Sequence, residues 1–364
     1  MTKYHYIFSI LLTLFVSSCV SIDQLSIDYL QPAKVNFPSA IKTVGIINNT
    51  ITKNEKIIEE KRDSFNRLIS NKATFQGNAR ITTESFAKNI AAANYFDQVI
   101  ICDSALREKD HFPRDPELTA EEVKQLTSDL GVDMLFSVED IIIKTSKKST
   151  TQDFFIHTTI DASVAPFIRT YVPSRTKPLV TVNPVDQIFW EGYGRTLTEA
   201  NNDLIKEDSL IKECSEFAGE LPIKYLLPTW NTANRYYYTS GCLELRDGAV
   251  LVREGTWDDA LKLWLLANNR KSKKAKMRSA FNIALYYEAH DDIEKAIEWA
   301  EKANQIVLDK ENKKKKSIEG KEAINKNNYS QDYIITTQYL GILKERKNDI
   351  QVLKLQMERF SDNF

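Results

Sequence analysis

Apolar and polar residues change rhythm three times along this chain. Residues 6–16 form a short apolar run with Lys3 ahead of it and Ser17, Ser18 and Cys19 behind it. From Ile41 to Leu227, short apolar runs alternate with amphipathic stretches. Residues 41–49 read as a buried strand ending in a turn. Residues 57–69 read as a polar helix. Residues 83–93 read as a second helix carrying Phe86, Ile90 and Ala93 on one face, and residues 96–102 as a strand. Thr119 with Glu122 makes a capping box that opens a helix, and Gly131 closes it. Residues 132–144, 154–169 and 188–196 read as strands, the last two separated by a loop from Pro173 to Pro184. Residues 198–227 read as mostly helical, with Ala218, Leu221, Ile223 and Leu226 as apolar positions. Helices joining short buried strands predict an α+β or α/β domain, a mixed sheet with helices on at least one face.

Beyond Leu227 the period becomes helical throughout and repeats. Gly248, Gly255, Trp257, Ala260, Trp264 and Ala267 are matched by Ala284, Asp291, Ile293, Ala296, Ala300 and Ala303, each thirty-six positions later. Small residues at these spacings let paired helices approach closely, and one large residue fills the gap between them. The pattern resembles tetratricopeptide repeats, whose period is about 34 residues. An all-α repeat domain is therefore expected after the α/β domain. Leu340-Gly341, Ile350 and Leu353 suit a third unit or a capping helix. The charged stretch from Lys310 to Lys326 reads as an exposed helix or loop. The expected divisions are a signal peptide over 1–18, a tether over 19–40 broken by Pro32 and Pro38, an α/β domain over 41–229, repeats over 230–306, and a charged linker with capping helices over 307–364.

The N-terminal run is too short for a membrane-spanning helix, which needs about 20 residues, so it reads as a removable signal. Val16-Ser17-Ser18-Cys19 resembles the lipobox of bacterial lipoproteins. That resemblance implies cleavage before Cys19 and its diacylation, and several acyl chains give a durable anchor where one does not. Val20 in place of Asp implies, by resemblance to Gram-negative sorting, the outer membrane. No acidic cluster follows, so the periplasmic face is expected.

Net charge is −1, apolar content 42% and charged content 27%. These are the values of a globular protein and give no electrostatic ground for nucleic-acid binding. Cys102, Cys214 and Cys242 have no C-x-x-C spacing, so a disulfide is permitted but not required. His5, His111, His157 and His290 are scattered, so neither a metal nor a cofactor is expected. Nucleophile-elbow and phosphate-loop motifs are absent. Gly192-Tyr193-Gly194 reads as a bulge or tight packing. Lys271, Lys273, Lys274, Lys276 and Arg278, echoed at Lys313 to Lys316, read as a solvated basic run. Glu139 and Asp140 read as exposed carboxylates at a strand end rather than an acid/base pair.

The helix–strand pairs of residues 85–104 and 119–141 resemble the small α/β domain of curli-secretion and penicillin-binding-protein-activator lipoproteins and the N-terminal domain of TolB. Such domains mostly bind other proteins. Leu227-Pro228-Thr229-Trp230, Arg235-Tyr236-Tyr237, Gly255-Thr256-Trp257-Asp258-Asp259-Ala260 and Asn282-Ile283-Ala284-Leu285-Tyr286-Tyr287-Glu288 resemble an uncharacterised family of Bacteroidota lipoproteins that joins such a region to tetratricopeptide repeats. The repeats' inner face would then carry Arg253, Arg278, Phe281, Asn282 and Glu288, with Leu245, Ala249, Val252 and Leu285. Arg253, Arg278 and Asn282 suit a peptide carboxylate or backbone, and Phe281 an apolar anchor. Alternatively, the same positions pack on the α/β domain.

The function expected is a non-enzymatic, lipid-anchored envelope scaffold that docks a protein partner. The alternative is a protein that binds or hydrolyses an envelope polymer, with Glu139, Asp140 and Glu191 as its candidate carboxylates.

Overall fold

A computed structural model describes residues 21–53, 56–62, 68–107, 117–152, 154–318 and 329–363. Cys19 and the signal segment lie outside the described residues, as does His111. The chain forms two compact units. One takes residues up to Gln31 and Trp230–Val352, and the other takes Pro32–Thr229 and Leu353–Phe364. The α/β region followed by an all-helical region agrees with the sequence reading.

The α/β unit is built on an eight-stranded mixed sheet. Strand β2 (Thr43–Asn48) lies parallel between β5 (Gln98–Ala105) and β6 (Met134–Gln152). Its Val44, Ile46 and Ile47 are wholly buried, as expected of a parallel strand covered on both faces. Antiparallel partners extend the sheet: β3 (Ile57–Arg62) on β4 (Leu68–Gln76), β4 and β7 (Phe155–Tyr171) on β6, and β8 (Val180–Val182) and β9 (Asp186–Gly194) on β7. The helix expected over 57–69 is thus replaced by parts of two strands. Strand β3 is a sheet edge, so its polar sequence lacks the alternation of a half-buried strand.

Helix α1 (Ala79–Ala92) starts at Asn78, whose side chain accepts from the Ile81 N–H. Helix α2 (Ala120–Leu130) has the Thr119–Glu122 capping box and ends at left-handed Gly131, as its sequence predicts. The helical stretch after β9 is three helices, α3 (Leu197–Asp203), α4 (Glu207–Glu220) and α5 (Ile223–Leu226). Helices α1 and α4 touch closely at Gly219, where a Cβ would lie 2.6 Å from the Phe86 nitrogen. Thr82 and Ser85 hydroxyls donate across this contact to the Ser215 and Glu216 carbonyls. Phe86 and Ile90 of α1 and Leu210, Cys214 and Ala218 of α4 bury one face of the sheet, while Val123 of α2 packs with Ile47, Leu135 and Tyr171 on the other.

The segment expected to be a tether is structured. Ile22–Gln31 is strand β1, which pairs with β10 (Thr229–Tyr238) of the helical unit. Ala33 and Phe37 are buried in the α/β unit. Proline excluded helix here but not extended chain, and the pairing partner lies some two hundred residues away. The C-terminal residues join the same unit. Gln356 exchanges hydrogen bonds with both backbone groups of Ala33, and Arg359 donates to the carbonyls of Tyr95, Pro38 and Ile41.

In the helical unit, α6 (Leu243–Arg253) pairs with α7 (Trp257–Asn268), and α8 (Lys273–Ala289) with α9 (Ile293–Ile318). The matched positions share one geometry. Gly255 and Asp291 both take positive φ, +79° and +58°, at the two helix–helix turns. Ala260, Trp264 and Ala267 are buried like Ala296, Ala300 and Ala303. A Cβ at Gly248 would lie 2.5 Å from Trp264 Nε1, so the large side chain fills the gap left by the small one. Helix α9 runs through the boundary expected at 306 and into the charged stretch. Leu340, Gly341, Ile350 and Leu353 all lie on one helix, α10 (Gln331–Met357), rather than on a third hairpin.

Candidate functional site

The inner face of the hairpins is closed by its own unit. Phe281 packs between Tyr238 of β10 and Tyr339 of α10, with ring centroids 5.3 and 4.7 Å away. The Asn282 amide donates to the Tyr238 carbonyl and accepts from the Tyr238 N–H, each at 2.8 Å. Glu288 is fully buried. It accepts a bifurcated bond from Arg235 Nε (3.0 Å to each oxygen), one from Arg235 Nη2 (2.9 Å), one from Arg346 (2.8 Å) and one from the Tyr339 hydroxyl (2.9 Å). Arg278 donates to the Ser240 carbonyl and lies over the Tyr238 ring. Arg253, more exposed, pairs with Asp23 at 3.4 Å. The expected partner groove is therefore filled by β10 and α10. Phe281, Asn282 and Glu288, which helical phase assigns to one face, meet β10 and α10 there, whereas Arg253 does not. Helical phase did not reveal that strand and helix segments of the same chain would cover that face.

The candidate carboxylates do not converge. A bulge in β6 between Val138 and Asp140 sends the two neighbours to different partners. Glu139 is buried, 2% exposed, which corrects the expectation of a solvated strand-end carboxylate. It accepts from Asn49 (2.8 Å) and from the Tyr171 hydroxyl (3.2 Å), with Arg169 at 3.9 Å. Arg107 extends this network from Asn49 (3.0 Å) to Glu122 (2.9 Å). Burial drives the Glu139 carboxyl up to about 7 against the pull of these partners. Burial, followed by the charge of Glu139, also raises Tyr171. Asp140 instead pairs with Lys53 and Gln76. Glu191 accepts from the Tyr193 hydroxyl at 2.9 Å and faces His157 at 3.4 Å. In register, Asp140 and Glu191 are eight β7 residues apart, about 26 Å along the strand. These groups form a structural network and two separate surface pairs, with no shared reacting position.

Two cavities open on the α/β unit. One, about 370 Å³, lies where β2 and β5 end beside α1 and is lined by Asn48, Arg80, Thr83, Glu84 and Cys102. There Arg80 is tied to Glu84 at 2.8 Å. The other, about 270 Å³, lies on the α4 side of the sheet beneath β4, β6 and β7. Among the described residues, α2 covers the opposite face around Leu135 and Tyr171. Farther along it, Ile142, Phe155, Phe189 (66% exposed) and Tyr193 stand in solvent, and Tyr193 stacks on His157 at 4.6 Å.

Gly192 and Gly194 serve close packing, since a Cβ on either would lie 2.4 Å from the Ala200 backbone of α3. Cys102, Cys214 and Cys242 are free thiols, and burial pushes Cys214 up to about 12. Lys271, Lys273, Lys274, Lys313 and Lys314 are exposed, whereas Arg278 is buried. Among the described residues, no group of three His, Cys, Asp or Glu side chains is arranged to hold a metal ion, and no helix is long and apolar enough to cross a membrane.

Residues 41–238, more than half of the chain, match the family model described as "Domain of unknown function (DUF8603)", and the chain belongs to that family. Residues 246–345 match "Domain of unknown function (DUF6340)". None of the curated proteins matches. The hypothetical protein CT253 from Chlamydia trachomatis, solved at 1.65 Å, is similar at 13% identity and a TM-score of 0.21, over 50% of this chain and 97% of that one.

Proposed function

We propose that this member of the DUF8603 family is a non-enzymatic docking protein of the bacterial cell envelope, held at the outer membrane through a lipidated Cys19. The helical hairpins are read as tetratricopeptide-like repeats that act as scaffold rather than receptor, because their inner face is occupied by β10 and α10. The partner surface is the part of the α2 side of the sheet that no described helix covers, and the occupant is a folded protein. The observation that carries this is the exposure of Ile142, Phe155, Phe189 and Tyr193 on one face of three adjoining strands. Aromatic side chains on such a surface are characteristic of protein interfaces. Lys72, Lys144 and Lys148 share that face with Glu59, Asp161 and Glu191, so its charge is balanced and favours no polyanion.

The test is photo-crosslinking from position 189 or 193 in intact cells. A discrete protein adduct from both, absent from a probe at Leu266 on the helical unit, is expected. No protein adduct from either position overturns the reading. A second reading, an envelope glycan as ligand, draws on the exposed Tyr193 ring beside Glu191 and His157. Cosedimentation with isolated cell-wall polymer, lost in Tyr193→Ala, distinguishes it. For the anchor, Cys19→Ser is expected to release a folded protein that fails to complement a deletion strain. Full complementation by the freed protein would show the anchor to be incidental.

A further inference from the structure

Cross-strand register places Lys147 of β6 directly between Asn71 of β4 and Ile160 of β7, on the side of the sheet where α4 packs. Ordinarily a lysine at such a position either reaches water fully or meets a carboxylate. Lys147 does neither. It is partly buried, it lines the cavity of about 270 Å³, and no ion pair or hydrogen bond joins it to another described residue. Burial lowers its ammonium from the ordinary lysine range.

The surroundings limit what can satisfy it. Ala73, Phe75, Ile160, Ile205 and Leu210 supply apolar walls. Lys56 and Glu207 at the same cavity are already paired at 2.5 Å, and Lys56 also lies 5.0 Å from the centre of the Phe75 ring. Their charges cancel, so among the lining residues Lys147 leaves one positive charge over. Glu60 stands opposite Asn71 on β3 but is exposed. Asn71 adds an amide beside the lysine. The volume, about 270 Å³, falls just below the range of drug-sized ligand sites, about 300 to 1,000 Å³, and so suits a smaller ligand.

We propose that this cavity is a binding site for a small amphipathic monoanion, an aliphatic carboxylate whose head group pairs with Lys147 and whose chain lies against Phe75, Ile160 and Leu210. A carboxylate there would supply the missing counter-charge in a partly desolvated setting, where such a pair gains more than in water. A dianion would leave one charge unmatched, and an amine would add to the existing one. The site lies on the opposite side of the sheet from the proposed docking face and stands independently of it.

Octanoate is the probe, titrated into the full-length chain by calorimetry, with octanol and octylamine in parallel. Saturable one-to-one binding of octanoate alone is expected. Lys147→Gln is expected to weaken it at least about tenfold, Lys147→Arg to retain it, and Lys144→Gln, on the other face of the same strand, to leave it unchanged. Ala73→Leu fills the cavity and keeps the charge, so it too is expected to abolish binding, which covers the case in which Lys147→Gln alters folding. Octanoate binding that survives both Lys147→Gln and Ala73→Leu, equal binding of octanol, or no saturable binding at millimolar octanoate would each overturn the proposal.

Discussion

Asn282 satisfies both backbone groups of Tyr238, its amide lying 2.8 Å from each. A helix side chain here does what a neighbouring strand would do for β10. Asn282→Ala is expected to orphan a buried N–H and C=O at once. With each costing about 1–3 kcal/mol, the helical unit should lose about 2–6 kcal/mol in denaturant titration, with no change in the α/β unit's own transition.

Glu288 is the single buried anion between Arg235 and Arg346. Removing one partner from such a group strands the others in a low-dielectric interior. Glu288→Ala should therefore cost about 3–5 kcal/mol. Because the pairs are withdrawn from water, raising the salt concentration should change the wild-type stability of this unit little. A loss below 1 kcal/mol, or strong salt dependence, would place Glu288 outside the framework.

Glu139 predicts a pH dependence of defined sign. Its folded-state value is raised from 4.5 to about 7 by burial, so the fold favours its protonated form. Its contribution is fully present below pH 4.5, falls as pH rises, and is lost above about 7. Such a shift corresponds to about 3 kcal/mol, already net of the lowering by Asn49, Tyr171 and Arg169. Glu139→Gln should remove this slope. The difference in unfolding free energy between variant and wild type, measured from pH 4 to 8, should move in the variant's favour as pH rises. A flat difference would contradict the assignment.

Two glycines should respond in opposite directions. Gly219→Ala pushes a methyl group toward the Phe86 backbone nitrogen at 2.6 Å, and is expected to cost about 1–3 kcal/mol by prying α1 from α4. Gly341→Ala, in α10 with nothing within 4 Å of the added Cβ, should stabilise by about 0.5–1 kcal/mol. Thermal melts of the two variants decide both.

Much of the architecture was legible because its signals are local. The Thr119–Glu122 box and Gly131 bound α2 within a few residues, and the thirty-six-residue echo marks two equivalent hairpins down to the positive φ of Gly255 and Asp291. The pattern over 57–69 suggests helix because β3, an edge strand, shows no clean alternation. The site residues were harder still. Leu245, Phe281, Asn282 and Glu288 were placed on the inner face by helical phase, but what meets that face comes from elsewhere in the chain.

By itself, the sequence determined the helix ends, the buried positions of the hairpins, the central parallel strand and the order of an α/β region before a helical one. Each follows from propensity, capping or periodicity over a few turns. Tertiary structure alone decided that residues 22–31 pair with β10, that Arg235, Glu288 and Arg346 meet in one buried cluster, that Glu139 turns inward while Asp140 does not, and that Lys147 faces a partly apolar cavity with no ion pair to another described residue. These depend on contacts between residues tens to hundreds of positions apart. Their free energy comes from burial and pairing across the fold, which no local pattern encodes.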